Sequence, residues 1–119
     1  MSRCARPLEL QEARTAWQRL RGLLGHPALP CCRGLWIRRC RAVHTCGMRY
    51  AIDVAFLDRG GRVLRVARLA PWRAAWCGQA DSVVELRAGC LPAGAAGRAR
   101  VESAVRRAIR FYPDKSPAY

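Results

Sequence analysis

The polar groups best suited to chemistry lie between residues 43 and 58, in a run that is otherwise apolar. This run holds His44, one of only two histidines, followed by Thr45 and Cys46, and it places Asp53 among strand-forming residues. A carboxylate buried in a sheet is costly unless it is paired with a charge or accepts hydrogen bonds. Two interpretations stay open. Backbone N–H groups or an arginine hold Asp53 in the sheet, or it lines a small polar pocket with His44 and Thr45.

Metal binding and nucleophilic catalysis are two further chemistries that these residue types could support. Cys40, His44 and Cys46 have the same parity along a strand, and zinc accepts nitrogen and sulfur ligands. However, an extended strand separates residues 40 and 46 by ~20 Å, so we predict no metal site. Cys46 could act as a nucleophile with His44 as base only if the two were in contact beside an oxyanion site. Whether the protein is an enzyme stays open, with a hydrolase or transferase using His44 with Asp53 or Cys46 as one alternative.

The chain is strongly basic, with 22 Lys plus Arg against 8 Asp plus Glu and a formal net charge of +14. Such a charge favours polyanions, including nucleic acid. In this alternative Trp36 and Tyr50 could stack on bases, as aromatic residues do in proteins that bind single strands. The arginines of this alternative are Arg38, Arg39, Arg41 and Arg49. The arginines are spread along the chain, however, and Lys115 is the only lysine, so GC-rich codon usage also accounts for the excess.

Hydrophobic spacing predicts two helices and several strands. Apolar residues recur every three or four positions over 10–24, which predicts an amphipathic helix. Alternation over 50–57, a Gly-containing turn at 58–61 and a partner run at 62–69 predict a β-hairpin. Residues 73–81 have no clean period. Further strands are predicted at 34–37, 42–45 and 82–87, and a short C-terminal helix near 101–109.

These elements predict one domain over residues 1–111 and a flexible tail over 112–119. The fold class is mainly β (α+β): a compact antiparallel β sandwich or barrel edged by helices. The seven cysteines include no Cys-x-x-Cys pair, so we expect them to stay reduced. The N-terminus lacks an apolar signal, and no run approaches the ~18 apolar residues that cross a bilayer. We therefore expect a cytoplasmic protein without a membrane span.

Several motifs together resemble a known family. They are RLRGLLG at 19–25, VHTCGMRYAIDVAFLD at 43–58, GRV at 61–63, PW at 71–72 and VELRAG at 84–89. In this order they are similar to the bacterial and archaeal family called domain of unknown function 192, with the likeness running from about residue 14 to residue 98. The resemblance implies a small, single-domain, β-rich fold similar to a jelly roll, with a short N-terminal helix. It implies no established reaction.

The resemblance also singles out individual residues. The family's pattern falls on Arg19, Gly22, Leu23, His44, Thr45, Met48, Asp53, Phe56, Asp58, Gly61, Glu85 and Gly89. Many members carry Gly-Asp near the end, whereas here Gly97 is followed by Arg98, which removes a carboxylate from any role at that place.

Our leading hypothesis from the sequence is a ligand- or partner-binding domain with a polar pocket around His44, Asp53 and Glu85. The predicted ligand-binding residues are Arg19, His44, Thr45, Met48, Asp53 and Glu85, with Arg19 as counter-ion. Glu85, which stands beside Val83, Val84 and Leu86, could instead simply face solvent. Trp17, Trp36, Met48 or Trp72 would supply an apolar wall. We expect a small ligand or an acidic partner, with nucleic acid as the alternative, and no cofactor.

Overall fold

The computed structural model describes residues 6–12 and 32–111. Seven strands and one helix are present in these ranges. They are β1 (Glu9–Glu12), β2 (Arg33–Arg38), β3 (Ala42–His44), β4 (Ile52–Leu57), β5 (Val63–Leu69), β6 (Ala74–Trp76), β7 (Ser82–Arg87) and α1 (Ala95–Phe111). The described part of the chain is therefore mainly β, as the sequence predicts.

Five strands form one mixed sheet in the order β1-β2-β7-β4-β5, and β3 pairs with β6 in a separate antiparallel sheet. Every residue of β4 is buried, and so are the first five residues of β7. This burial fits their nearly continuous apolar sequence, because a strand covered on both faces does not alternate with polar residues. The centre of the large sheet is thus dry on both sides.

The predicted β-hairpin is confirmed. Strands β4 and β5 pair antiparallel, from Ile52 opposite Leu69 to Leu57 opposite Val63. Asp58 closes the turn, since its Oδ1 accepts hydrogen bonds from the backbone N–H groups of both Gly60 and Arg62, each at 2.9 Å. An aspartate that folds back on its own turn is a common way to fix such a connection.

The helix α1 covers one face of the large sheet. Its Val101, Ala104 and Val105 pack with apolar residues that alternate along β4 and β7. Two polar contacts fix its position. Glu102 accepts a hydrogen bond from the N–H of Val63 at 2.8 Å, and Arg107 donates to the carbonyl of Leu8 at 2.8 Å. The helix therefore connects the two ends of the strand order.

The small β3–β6 sheet covers the opposite face. Its inward residues, Val43 and Ala75, pack with Ile52, Val54 and Phe56 of β4. The remaining positions of the two strands, Ala42, His44, Ala74 and Trp76, are exposed. Strand alternation accounts for this division, because successive side chains point to opposite faces.

Three local predictions differ from the structure. The predicted helix over 10–24 is wrong at its start, because residues up to Glu12 form β1, which pairs in parallel with β2. The sheet is consequently not antiparallel throughout. Strand β6 lies in the segment without a clean period. The C-terminal helix starts at Ala95 rather than near residue 101. Gly97 has a low helix propensity, which argues against a helix there, but it packs closely against Pro92 within the helix.

Some predictions fall outside the described residues. These are most of the N-terminal helix (13–24), the residues Trp17 and Arg19, and the tail over 112–119. Within the described ranges, no helix combines the length and the apolar character needed to cross a membrane.

Replacing Gly97 with alanine should destabilise the fold although alanine is the better helix former. A Cβ at this position would overlap the carbonyl group of Pro92, which is backbone and cannot swing away. The gain in helix propensity is at most about 1 kcal/mol, whereas such overpacking costs about 1–3 kcal/mol. Chemical denaturation should therefore show a lower free energy of unfolding for Gly97→Ala.

Gly78→Ala is the matched control for this change. A Cβ at Gly78 meets no atom within 4 Å, so we expect a change below about 0.5 kcal/mol, as for ordinary surface substitutions. Equal stabilities of the two variants would contradict the proposed contact with Pro92.

Candidate functional site

Asp53 is buried in β4 and is fully engaged there. Its Oδ1 accepts a hydrogen bond from Nε of Arg68 at 2.9 Å, and its Oδ2 accepts one from the backbone N–H of Gly89 at 3.0 Å. Arg68 lies directly opposite on β5. The hydrogen bond to Asp53, and then the negative charge of Asp53, raise the pKa of the Arg68 guanidinium. The first of the two interpretations from the sequence describes these contacts: an arginine and a backbone N–H hold the carboxylate.

Asp53 and Glu85 lie on opposite faces of the large sheet. Asp53 pairs with Leu86 and Val54 pairs with Glu85, and paired residues share a face while successive residues alternate. Leu86 belongs to the cluster under the helix, whereas Val54 packs under the β3–β6 sheet. The predicted pocket with both carboxylates is therefore not formed.

Glu85 instead raises the pKa of Tyr50, on the β3–β6 side of the large sheet. Burial raises the pKa of the Tyr50 hydroxyl, and the negative charge of Glu85 raises it further. Glu85 itself is buried, so the alternative that it faces solvent is wrong. Met48 is buried in the same cluster that Tyr50 contacts, so the predicted residues Met48 and Glu85 lie on one side of the sheet.

Thr45, which follows β3, is fully buried and joins two turns of the chain. Its hydroxyl donates to the carbonyl of Ala70 at 2.6 Å and accepts from the N–H of Arg73 at 2.8 Å. Its backbone carbonyl accepts hydrogen bonds from the N–H groups of Met48 and Trp72, at 3.1 and 3.0 Å. The hydroxyl thus stands between the first carbonyl and the last N–H of the turn at 70–73, in place of the bond that usually closes a β-turn.

This turn holds Trp72 in an unusual conformation. Trp72 has a φ of 64°, a region that non-glycine residues seldom adopt. It follows Pro71, and proline followed by a residue of positive φ is the pattern of a type II turn, where glycine is normally preferred. The indole is 66% exposed. The bonds from Thr45 therefore maintain a backbone geometry that presents a large aromatic ring to solvent.

A second exposed tryptophan lies in β6. Trp76, in β6, is 71% exposed and lies directly across from Ala42, while His44 lies across from Ala74. His44 is exposed, and its Nδ1 accepts a hydrogen bond from the N–H of Cys46 at 3.2 Å. Both indoles and the imidazole are thus carried by the β3–β6 sheet and the turn that precedes β6.

Arginines accompany the two tryptophans. Arg73 donates to the carbonyl of Trp72 at 3.3 Å, and Arg65 donates to the carbonyl of Trp76 at 2.9 Å. Arg41 precedes β3 and is exposed. We call the surface formed by these residues the Trp–Arg face. Its members are Arg41, His44, Arg65, Trp72, Arg73 and Trp76.

A shallow groove of about 580 Å³ lies where β3 begins. It is lined by Arg39, Cys40, Arg41, Ala42, Ala80 and Asp81. Arg39 has a φ of 56°, the second non-glycine residue with a positive φ in the described ranges. Because Ala42 is also the cross-strand partner of Trp76, the groove continues the Trp–Arg face.

The other arginines predicted for nucleic acid differ in their surroundings. Arg38 forms an ion pair with Glu12 at 2.7 Å and stacks on the Trp36 ring at 4.2 Å. Trp36 is buried, so it cannot stack on a base as predicted. Arg39, Arg41 and Arg49 are exposed.

The catalytic pairing of His44 with Asp53 is not formed. His44 is exposed on β3, whereas Asp53 binds Arg68 and Gly89 on the face of the large sheet that α1 covers. Among residues 6–12 and 32–111, no three His, Cys, Asp or Glu side chains are grouped closely enough to hold a metal ion.

Sequence reasoning missed the aromatic part of the Trp–Arg face. Trp72 is predicted as an apolar wall but is exposed, and Trp76 lies in the segment that shows no period. One signal was available, since the sequence carries no Asp or Glu over 41–48 or 70–77 but has two tryptophans there.

One family model matches most of the chain. A profile of the family domain of unknown function 192, described as "Uncharacterized ACR", matches residues 2–97. No curated protein matches the chain.

Two crystal structures share the fold. A protein of unknown function from Novosphingobium aromaticivorans has a TM-score of 0.60 at 21% identity, covering 69% of this chain and 64% of that one. A putative transcription regulator from Sinorhizobium meliloti has a TM-score of 0.62 at 20% identity, covering 70% of each chain. The chain thus spans less than two thirds of the Novosphingobium protein.

Replacing Thr45 with valine should loosen the turn that carries Trp72. Valine has the same shape but leaves the carbonyl of Ala70 and the N–H of Arg73 without the bridging hydroxyl. We expect a loss of about 1–3 kcal/mol in the free energy of unfolding. Thr45→Ser keeps the hydroxyl and removes one methyl group, so its loss should be below about 1 kcal/mol. Urea denaturation of both variants measures the difference, and equal losses would show that the hydroxyl is unimportant.

Replacing Asp53 with asparagine should also destabilise the fold, by about 2 kcal/mol. The two oxygens of Asp53 accept from separate donors, whereas an amide keeps only one oxygen and turns its NH₂ group toward the other donor. Asp58→Asn is the matched control, because a single oxygen of Asp58 accepts both turn hydrogen bonds and asparagine retains it. Thermal unfolding of the two variants should separate them clearly; similar melting temperatures would refute this role of Asp53.

Proposed function

Since this chain belongs to the family called domain of unknown function 192, we propose from its surface that it is a non-catalytic binding module that takes an anionic partner on the Trp–Arg face. The proposal keeps the ligand- or partner-binding class predicted from the sequence. It moves the site from a pocket between Asp53 and Glu85 to the outside of the β3–β6 sheet.

The observation that carries the proposal is the exposure of two tryptophans on one basic surface. Trp72 and Trp76 are each about two thirds exposed or more. Large exposed aromatic side chains grouped together are typical of interaction sites, because water contact with an indole is unfavourable. A tryptophan that serves the core is buried, as Trp36 is. Here the fold keeps two indoles outside.

The charge around these rings selects the kind of partner. Arg65 and Arg73 lie at the carbonyls of the two tryptophans, and Arg41 adjoins the groove. A guanidinium has five N–H donors, so one bond to a carbonyl leaves others for an oxyanion. With no carboxylate over 41–48 or 70–77, the local field attracts negative charge.

The individual predicted residues take different roles in this proposal. His44 is part of the binding face. Thr45 and Met48 support it from below, through the turn at 70–73 and the buried cluster. Asp53 and Glu85 are buried in the large sheet and do not contact the partner.

The test compares two triple variants with the same change in net charge. The first replaces Arg41, Arg65 and Arg73 with glutamine. The second replaces three exposed helix arginines, Arg98, Arg106 and Arg110, with glutamine. Each surface ion contact contributes roughly 0.5 kcal/mol, so the first variant should bind a soluble polyanion such as heparin about ten-fold more weakly than wild type.

The helix variant should lose much less, because it changes the charge at a distance from the proposed site. Titration of labelled heparin at constant ionic strength gives the three dissociation constants. Equal losses in the two variants would show that net charge alone drives binding, and the proposed site would be rejected.

A further inference from the structure

We propose that the Trp–Arg face binds single-stranded nucleic acid, with bases stacked on Trp72 and Trp76. This inference rests on the proposed function and names the partner. Proteins that bind single strands combine aromatic platforms for the bases with a basic groove for the phosphates. The face and the adjoining groove contain both parts, on the small β3–β6 sheet, the turn that precedes β6 and the neighbouring strand β5.

The two indoles are accessible in a manner suited to stacking. Trp76 has alanines as its nearest positions on the outer face: Ala42 directly opposite and Ala74 two residues earlier on the same strand. These side chains are short, so a planar base can approach the ring. Trp76 is the last residue of β6, and the turn bearing Trp72 precedes the first residue, Ala74. The strand from Ala74 to Trp76 spans ~7 Å, so the two tryptophans lie at opposite ends of β6.

The backbone that carries Trp72 is also ordered before any ligand arrives. The backbone N–H of Trp72 donates to the carbonyl of Thr45, and the Thr45 hydroxyl binds Ala70 and Arg73, the first and last residues of the turn. A platform whose backbone is already ordered loses less entropy on binding. The left-handed backbone at Trp72 is thus compatible with a binding role, since such conformations persist where neighbouring contacts impose them.

Phosphates would be met by arginines close to each ring. Arg73 and Arg65 are anchored at the tryptophan carbonyls, and Arg39 and Arg41 line the groove next to Ala42. Asp81, on the same groove, repels phosphate. We therefore place the phosphate path along the arginine side of the groove.

Other polyanions satisfy only part of this arrangement. An acidic peptide pairs with the arginines, but its carboxylates make no use of two exposed indole faces. In a duplex the bases are already stacked on one another, so they are not available to the tryptophans. A single strand offers both phosphates and open base faces.

The experiment measures binding of a fluorescently labelled oligothymidylate and of polyglutamate of equal charge, at one ionic strength, to the full chain. Wild type is compared with Trp72→Ala, Trp76→Ala and the control Ile109→Ala, which removes an exposed apolar side chain from α1. Loss of one stacked base should weaken oligothymidylate binding about ten-fold for each tryptophan variant. Polyglutamate binding should not change, and Ile109→Ala should bind both as wild type does.

A conservative variant guards against loss of folding. Trp72→Phe keeps an aromatic platform and should retain most of the oligothymidylate affinity, and the melting temperature of every variant is measured in parallel. A folded Trp72→Ala variant with wild-type affinity for oligothymidylate would overturn the inference, and so would tighter binding of the same sequence as a duplex.

These outcomes separate the inference from the proposed function. If the tryptophan variants bind both polyanions as wild type does while the Arg41, Arg65 and Arg73 triple variant loses both, the anion site stands and nucleic acid is rejected as its specific partner. If that triple variant and the helix triple variant are equally affected, the proposed function itself fails.

Discussion

The double covering of the central strands constrains everything else in this protein. Strands β4 and β7 have α1 on one face and the β3–β6 sheet on the other, so a polar side chain in them must find its partner inside. Asp53 does so through Arg68 and Gly89. A site that meets a large ligand therefore cannot lie on these strands, and it is displaced to the outer surface of one cover. The cover that carries exposed aromatic residues is the β3–β6 sheet.

Thr45 connects the buried interior to that outer surface. Its side chain is fully buried, yet its three polar atoms bind residues of two turns, including the one that presents Trp72. A single hydroxyl replaces the closing bond of the turn at 70–73, which allows a tryptophan to occupy a position where glycine is normally found. The cost of that backbone conformation, of order 1 kcal/mol or more, is offset by hydrogen bonds made out of contact with water.

The sequence predicts most of the fold, because hydrophobic period and turn chemistry are local signals. The hairpin of β4 and β5, with Asp58 in its turn, and the strands β2, β3 and β7 follow from them. The parallel pairing of β1 with β2 does not, since it joins segments distant in the chain and residues 9–12 also fit a helical period. The site was predicted less well. The sequence shows that Asp53 and Glu85 each lie in a strand, but it does not give the register in which the two strands pair. A shift of one residue decides which face of the sheet each side chain occupies.

Net charge alone does not identify a binding site in a chain with a charge of +14. Arginines are exposed on α1 as well as on the Trp–Arg face, and long-range attraction would bring a polyanion to either. What distinguishes the two surfaces is the presence of large rings that the fold leaves in water, one of them in a conformation that needs support from the interior. Electrostatic attraction governs the encounter, whereas short-range stacking depends on where Trp72 and Trp76 stand. The physical basis for specificity therefore lies in the position of these two rings.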